Sequence, residues 1–178
     1  YEAEISARGE KLPHYTEVGV GFSKMCLTPM LEYGRQALED NKKGVATEAL
    51  EQVVLAIVVT TAIVSIFLTR DFTPDYNSGL AHACFYALTA YPVIEKEHLH
   101  GEVVGFGVLY ALLVDGQQEE FEKIYALNKE LGLPVRIADI GITEEQFFET
   151  MDRIPQMSDI RHYPCLLYTS PSPRDVEE

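Results

Sequence analysis

Two histidines, His82 and His100, carry the first chemistry this sequence offers. His82 ends the stretch Ser78-Gly79-Leu80-Ala81-His82. His100 lies in His98-Leu99-His100-Gly101-Glu102-Val103-Val104-Gly105-Phe106-Gly107. Each stands near the start of an apolar, helix-like segment. Neutral imidazole is a common metal ligand, and two facing helices can aim one each at a shared ion. Taken alone, a histidine flanked by Ala81, Ala83 and Cys84 is more often a hydrogen-bonded core residue than a ligand. His98 and His100 point to nearly opposite sides of a helix but would share a face of a strand, so their spacing leaves both options open. Each glycine costs a helix interior about 1 kcal/mol relative to alanine. Gly101, Gly105 and Gly107 therefore ask for a reason: close helix packing beside a site, or a strained helix start.

The elements that would position these residues read as helical nearly throughout. Glu2 to Arg8 has the pattern of a helix, broken by Lys11-Leu12-Pro13. Residues Tyr15 to Asp40 carry apolar positions at three- and four-residue spacing, with Pro29 restarting the helix. Asp40 to Gly44 is expected as a turn, and Thr47 to Thr69 as a long core helix. Asp71 to Asn77 is expected as a loop, Leu88 to Pro92 as the end of the His82 helix, and Glu97 to Val114 as the helix carrying His100. Gln117 to Leu131 follows, with Gly132 and Pro134 as stop signals. Thr143 with Gln146 has the capping-box pattern and opens a last helix. No alternating strand of useful length and no repeat stands out, so the fold class is all-α.

Composition narrows the function classes. With 178 residues the chain suits one domain with a substantial core and is short for a two-domain enzyme. Fourteen basic against 28 acidic side chains give a net charge of −14, which argues against nucleic-acid or anionic-membrane partners. The three cysteines, Cys26, Cys84 and Cys165, form no CxxC pair and fit a reducing, cytoplasmic setting. Val53 to Leu68 lacks any charge but falls short of the roughly 20 apolar residues of a typical membrane span, so it is expected as a buried core helix. Gly19-Val20-Gly21 lacks the third glycine and the strand context of a phosphate-binding loop.

Gly79 to Thr89, followed by His100 to Gly107 and by Leu133-Pro134 after the next helix, resembles the iron-containing alcohol dehydrogenase and glycerol dehydrogenase family, over roughly Tyr1 to Pro164. The resemblance implies the helical-bundle C-terminal domain of a dehydroquinate synthase-like fold, with the nucleotide-binding domain missing. It implies a Zn²⁺ or Fe²⁺ ion held by one Asp and two His, here His82 and His100, and NAD(P) as hydride acceptor from a small alcohol or polyol. The family's Asp precedes a segment ending like Tyr1-Glu2-Ala3, so the resemblance places it one to two helical turns before Tyr1 and reads the chain as an inactive fragment. No cofactor-binding residue and no catalytic residue beyond the metal ligands is assigned. The family's second histidine of the first motif falls at Phe85 or Tyr86, which become guesses for a substrate wall. His98 precedes the motif by two positions and is expected as a solvated helix-start residue. Intact members are generally homo-oligomeric.

The natural domain is expected to end near residue 164. Cys165 to Asp175, with its two Ser-Pro pairs, resembles one reading frame of a transposon-based sequencing adapter, so residues 165–178 are expected to be a non-native tail. Two further readings stand beside the dehydrogenase: a non-catalytic helical binding domain with structural histidines, and a membrane-anchored helical protein resting on Val53 to Leu68. The related sn-glycerol-1-phosphate dehydrogenase and dehydroquinate synthase group should show more basic residues around the site than Lys96.

Overall fold

The computed structural model describes residues 1–69 and 76–156 of the chain, and every regular element among them is helical. The expected loop of residues 71–77 falls mostly outside the described residues, and the expected tail of residues 165–178 falls wholly outside them. A short α1, Glu2–Ser6, opens the chain. The rest divides into two compact units. Among the described residues, one comprises Tyr1, Ala3 and those from Ala7 to Asn77; the other comprises Glu2, Glu4–Ser6 and those from Ser78 to Gln156.

In the first unit, α2 runs unbroken from His14 to Lys43. The restart expected at Pro29 does not occur: the helix carries Pro29 inside it, and the Thr28 hydroxyl donates to the Lys24 carbonyl just before it. The turn expected from Asp40 is also displaced, because α2 continues to Lys43 and stops at Gly44 in the left-handed region (φ 67°). Asp40 is buried and fixes the junction that follows. One of its oxygens accepts from Gln36 (2.7 Å) and the other from the Thr47 hydroxyl (2.6 Å). Thr47 in turn accepts the Leu50 N–H and caps α3, Glu48–Leu55. A π-helical turn, Ala56–Thr60, joins α3 to α4, Thr61–Leu68, in which the Thr61 hydroxyl also bonds the Ala56 carbonyl. Gly19 of α2 lets α4 approach so closely that a Cβ there would stand 2.9 Å from the Phe67 Cβ.

The core-helix expectation for Thr47 to Thr69 is overturned. Only 11% of the most apolar window of Glu48–Leu68 is buried, and Val58 (62% exposed) and Ile66 (68%) face outward. Within this unit the helix packs on α2, and one partner covers one stripe of a helix that is apolar all round. Its length and composition would suffice to cross a membrane.

The second unit contains α5 (Leu80–Leu88), α6 (Pro92–Glu97), α7 (His100–Val114), α8 (Gln118–Leu131) and α9 (Glu144–Met151), with α7 packed mainly against α5 and α8. Short 3₁₀ turns at Ile137–Ile140 and Ile154–Gln156 flank α9. Val103, Phe106, Leu109 and Leu112 of α7 are buried, against α5 on one side and α8 on the other. Pro92 opens α6 rather than merely ending α5, as its fixed φ and missing N–H suit a first helical position. The Thr143–Gln146 capping box forms in both directions, at 3.2 and 2.9 Å, and Gly132 ends α8 at φ 77°.

The glycines of α7 divide by position. Gly107 is where α5 and α7 touch: a Cβ would meet the Ala81 carbonyl oxygen at 2.6 Å. Gly101 faces open space, and Gly105 meets only the Asn128 amide at 3.8 Å. Close packing therefore explains Gly107, not the other two. Gly107→Ala should lower stability by about 1–3 kcal/mol through overpacking, while Gly101→Ala should raise it by up to about 1 kcal/mol. Urea midpoints of the two variants check the contrast; a stabilised Gly107→Ala would refute the close crossing.

Candidate functional site

All the candidate residues lie in the second unit. Ala81 of α5 packs against Gly107 of α7, and His82 and His100 of the same two helices come together. The His82 and His100 rings lie with centroids 5.6 Å apart, tilted by 43°. Two imidazoles on one tetrahedral ion, with metal–nitrogen bonds of about 2 Å, have centroids roughly 5 Å apart. The centroid spacing of the pair is close to that value. Among the described residues no group of three or more His, Cys, Asp and Glu could hold a metal ion.

Phe85, one turn beyond His82 on α5, meets His100 edge-on at 4.3 Å and covers one side of its ring. Tyr86 stacks edgewise on Phe85 at 5.4 Å and is 46% exposed. His98 lies outside the helices, in extended backbone between α6 and α7. Its side chain is only 14% exposed and stands 3.6 Å from a Glu102 oxygen, so it is neither solvated nor at a helix start. The same Glu102 oxygen accepts the Leu99 N–H at 3.0 Å and anchors the start of α7 next to His100.

The sequence reading does not single out Glu2, yet Glu2 organises the start of α5. Gly79, the residue before the helix, has no side chain to cap it. One Glu2 oxygen takes its place, accepting from the N–H groups of Gly79 (2.9 Å), Ala81 (2.8 Å) and His82 (3.1 Å). The other lies 2.5 Å from His82 Nδ1. The only sequence signal was the bare glycine ahead of an apolar helix, which demands an acceptor from elsewhere.

Cys84 is fully buried, and burial, with a smaller contribution from the Glu2 charge, pushes its thiol up to about 12. Burial likewise raises the Tyr110 phenol to about 12, with smaller contributions from Cys84 and Asp152.

No protein-family model matches the chain. A probable glycerol dehydrogenase from Sinorhizobium meliloti 1021 superposes over 91% of this chain and 45% of its own, with a TM-score of 0.73 at 22% identity, which defines the fold. The glycerol dehydrogenase of Escherichia coli O6:H1 is 31% identical over 131 residues, 73% of this chain and 33% of its own length. That of Thermotoga maritima is 30% identical over 149 residues, 79% of this chain and 37% of its own. The chain belongs to the iron-containing alcohol dehydrogenase family. It spans about a third of the length of the curated relatives it matches.

Cys84 and Tyr110 both hold their protons more tightly folded than unfolded, so the folded state binds more protons between their ordinary values, 9.0 and 10.0, and about 12. Their contribution to stability is complete below pH 9 and is lost as pH rises toward about 12. Urea midpoints should fall over that window, and less steeply in Tyr110→Phe; an unchanged slope in the variant would contradict the buried phenol.

Proposed function

We propose that this chain supplies two of the metal ligands of an NAD(P)-linked alcohol or polyol dehydrogenase, and that His82 and His100 are those ligands. The observation that carries the reading is the placement of both imidazoles, 5.6 Å apart, at the starts of α5 and α7. The glycerol dehydrogenase relatives support a small polyol as substrate.

A Zn²⁺ or Fe²⁺ ion held by His82 and His100 would supply Lewis-acid polarisation of the substrate hydroxyl, and a bound NAD(P) would supply the hydride acceptor. The protein's own part is positioning and exclusion. His82 and His100 present ring nitrogens from two helices locked by a close crossing. Phe85 restricts the His100 ring and keeps water from that side, and Tyr86, beside it and more exposed, is placed to form part of the substrate wall. The choice between zinc and iron does not follow from two imidazoles. The same reading takes residues 1–164 as the catalytic helical part, residues 165–178 as a foreign tail, and the intact enzyme as a cytoplasmic homo-oligomer without nucleic-acid or membrane partners.

With two ligands rather than three, the chain alone should bind Zn²⁺ weakly and turn over no NAD⁺. Calorimetric titration with Zn²⁺ tests the assignment: His82→Ala and His100→Ala should each weaken binding at least tenfold, about 1.4 kcal/mol. Wild-type affinity in both variants would return the histidines to a structural role in a non-catalytic domain, and tight stoichiometric binding would contradict the incomplete ligand set.

A further inference from the structure

We propose that Glu2 is a positioning residue for His82: it fixes the orientation of the imidazole and its tautomer, with hydrogen on Nδ1 and the lone pair on Nε2. The proposal rests on the metal-ligand reading of His82 for its purpose, but not for its test. Glu2 is well shielded, its side chain 10% exposed, and His82 is 23% exposed. One carboxylate holds both the backbone of residues 79–82 and the ring of residue 82. A cap that touched only the backbone would leave the ring free to turn about its side-chain torsions. Here the ring is tied to the same group that fixes its own N–H, so its orientation relative to α5 is set at two points.

The tautomer follows from the donors. Three backbone N–H groups at the positive end of a helix converge on Glu2, which therefore acts as an acceptor. Across the 2.5 Å contact the hydrogen must come from Nδ1. The neutral ring then carries its lone pair on Nε2, the nitrogen a metal would take. A carboxylate behind a ligating imidazole raises its basicity and holds its direction, and loss of such a partner typically costs 10- to 100-fold in metal affinity.

Glu2→Gln separates this role from simple capping. The glutamine oxygen can still accept the backbone N–H groups, but its NH₂ would face Nδ1 and donate to it, forcing the hydrogen onto Nε2. Long-range ¹H–¹⁵N NMR of the histidine-labelled chain, at mildly alkaline pH where imidazole is neutral, reads the tautomer directly. The expected result is Nδ1–H for His82 in the wild type and Nε2–H in Glu2→Gln, with helicity retained and Zn²⁺ binding weakened 10- to 100-fold. Nε2–H in the wild type overturns the proposal without recourse to any variant, as does an unchanged tautomer in a folded Glu2→Gln. If the wild type binds no Zn²⁺ through His82, the functional reading fails while the tautomer still decides the role of Glu2. If Zn²⁺ binds through His82 and Glu2→Gln alters neither tautomer nor affinity, the positioning role fails alone.

Discussion

One carboxylate at the mouth of one helix holds the candidate site together. α5 begins at a glycine that cannot cap it, and an uncapped helix start leaves backbone N–H groups without partners. Glu2, 77 to 80 positions earlier in the chain, takes three of them with a single oxygen. The charge favours that place because the helix N-terminus carries a partial positive charge. With its backbone so held, His82 has little freedom, and the second oxygen removes more of it.

The partner histidine reaches the same spot through packing. α7 is apolar on most of its surface and lies at the centre of its unit, so the distance of its neighbours is set by side-chain bulk. Ala81 and Gly107 have almost none, and at that point α5 comes within contact of the α7 backbone. A side chain at Gly107 would meet the Ala81 backbone and shift α5 on α7. The two constraints are complementary, since Glu2 fixes where His82 stands on α5 while the small pair fixes where α5 stands on α7.

Much of this was legible in the sequence where the signal is local. The helical period, the Thr143–Gln146 box and the glycine stop at Gly132 each depend on residues within one turn, and each formed as its chemistry requires. Pro29 misled because a 30-residue helix can absorb one missing N–H. Pro92 misled because a proline can open a helix as readily as end one. The apolar run of α3 and α4 suggested burial, but hydropathy measures what a helix would prefer, not how many partners its unit provides. For the site, residue type and order singled out His82 and His100. Glu2 escaped because nothing local marks a carboxylate that will serve a helix in a distant part of the chain. Gly107 was visible as a costly glycine, but only the crossing shows why it, rather than Gly101 or Gly105, is needed.

The central claim, that His82 and His100 share one ion, is tested most directly by X-ray absorption at the zinc edge of the Zn²⁺-loaded chain. The account requires two imidazole nitrogens at about 2.0–2.1 Å with the outer-shell scattering of two rings, reduced to one ring when either histidine is replaced. A zinc shell made only of oxygen ligands, or one whose imidazoles persist without His82 and His100, would contradict it.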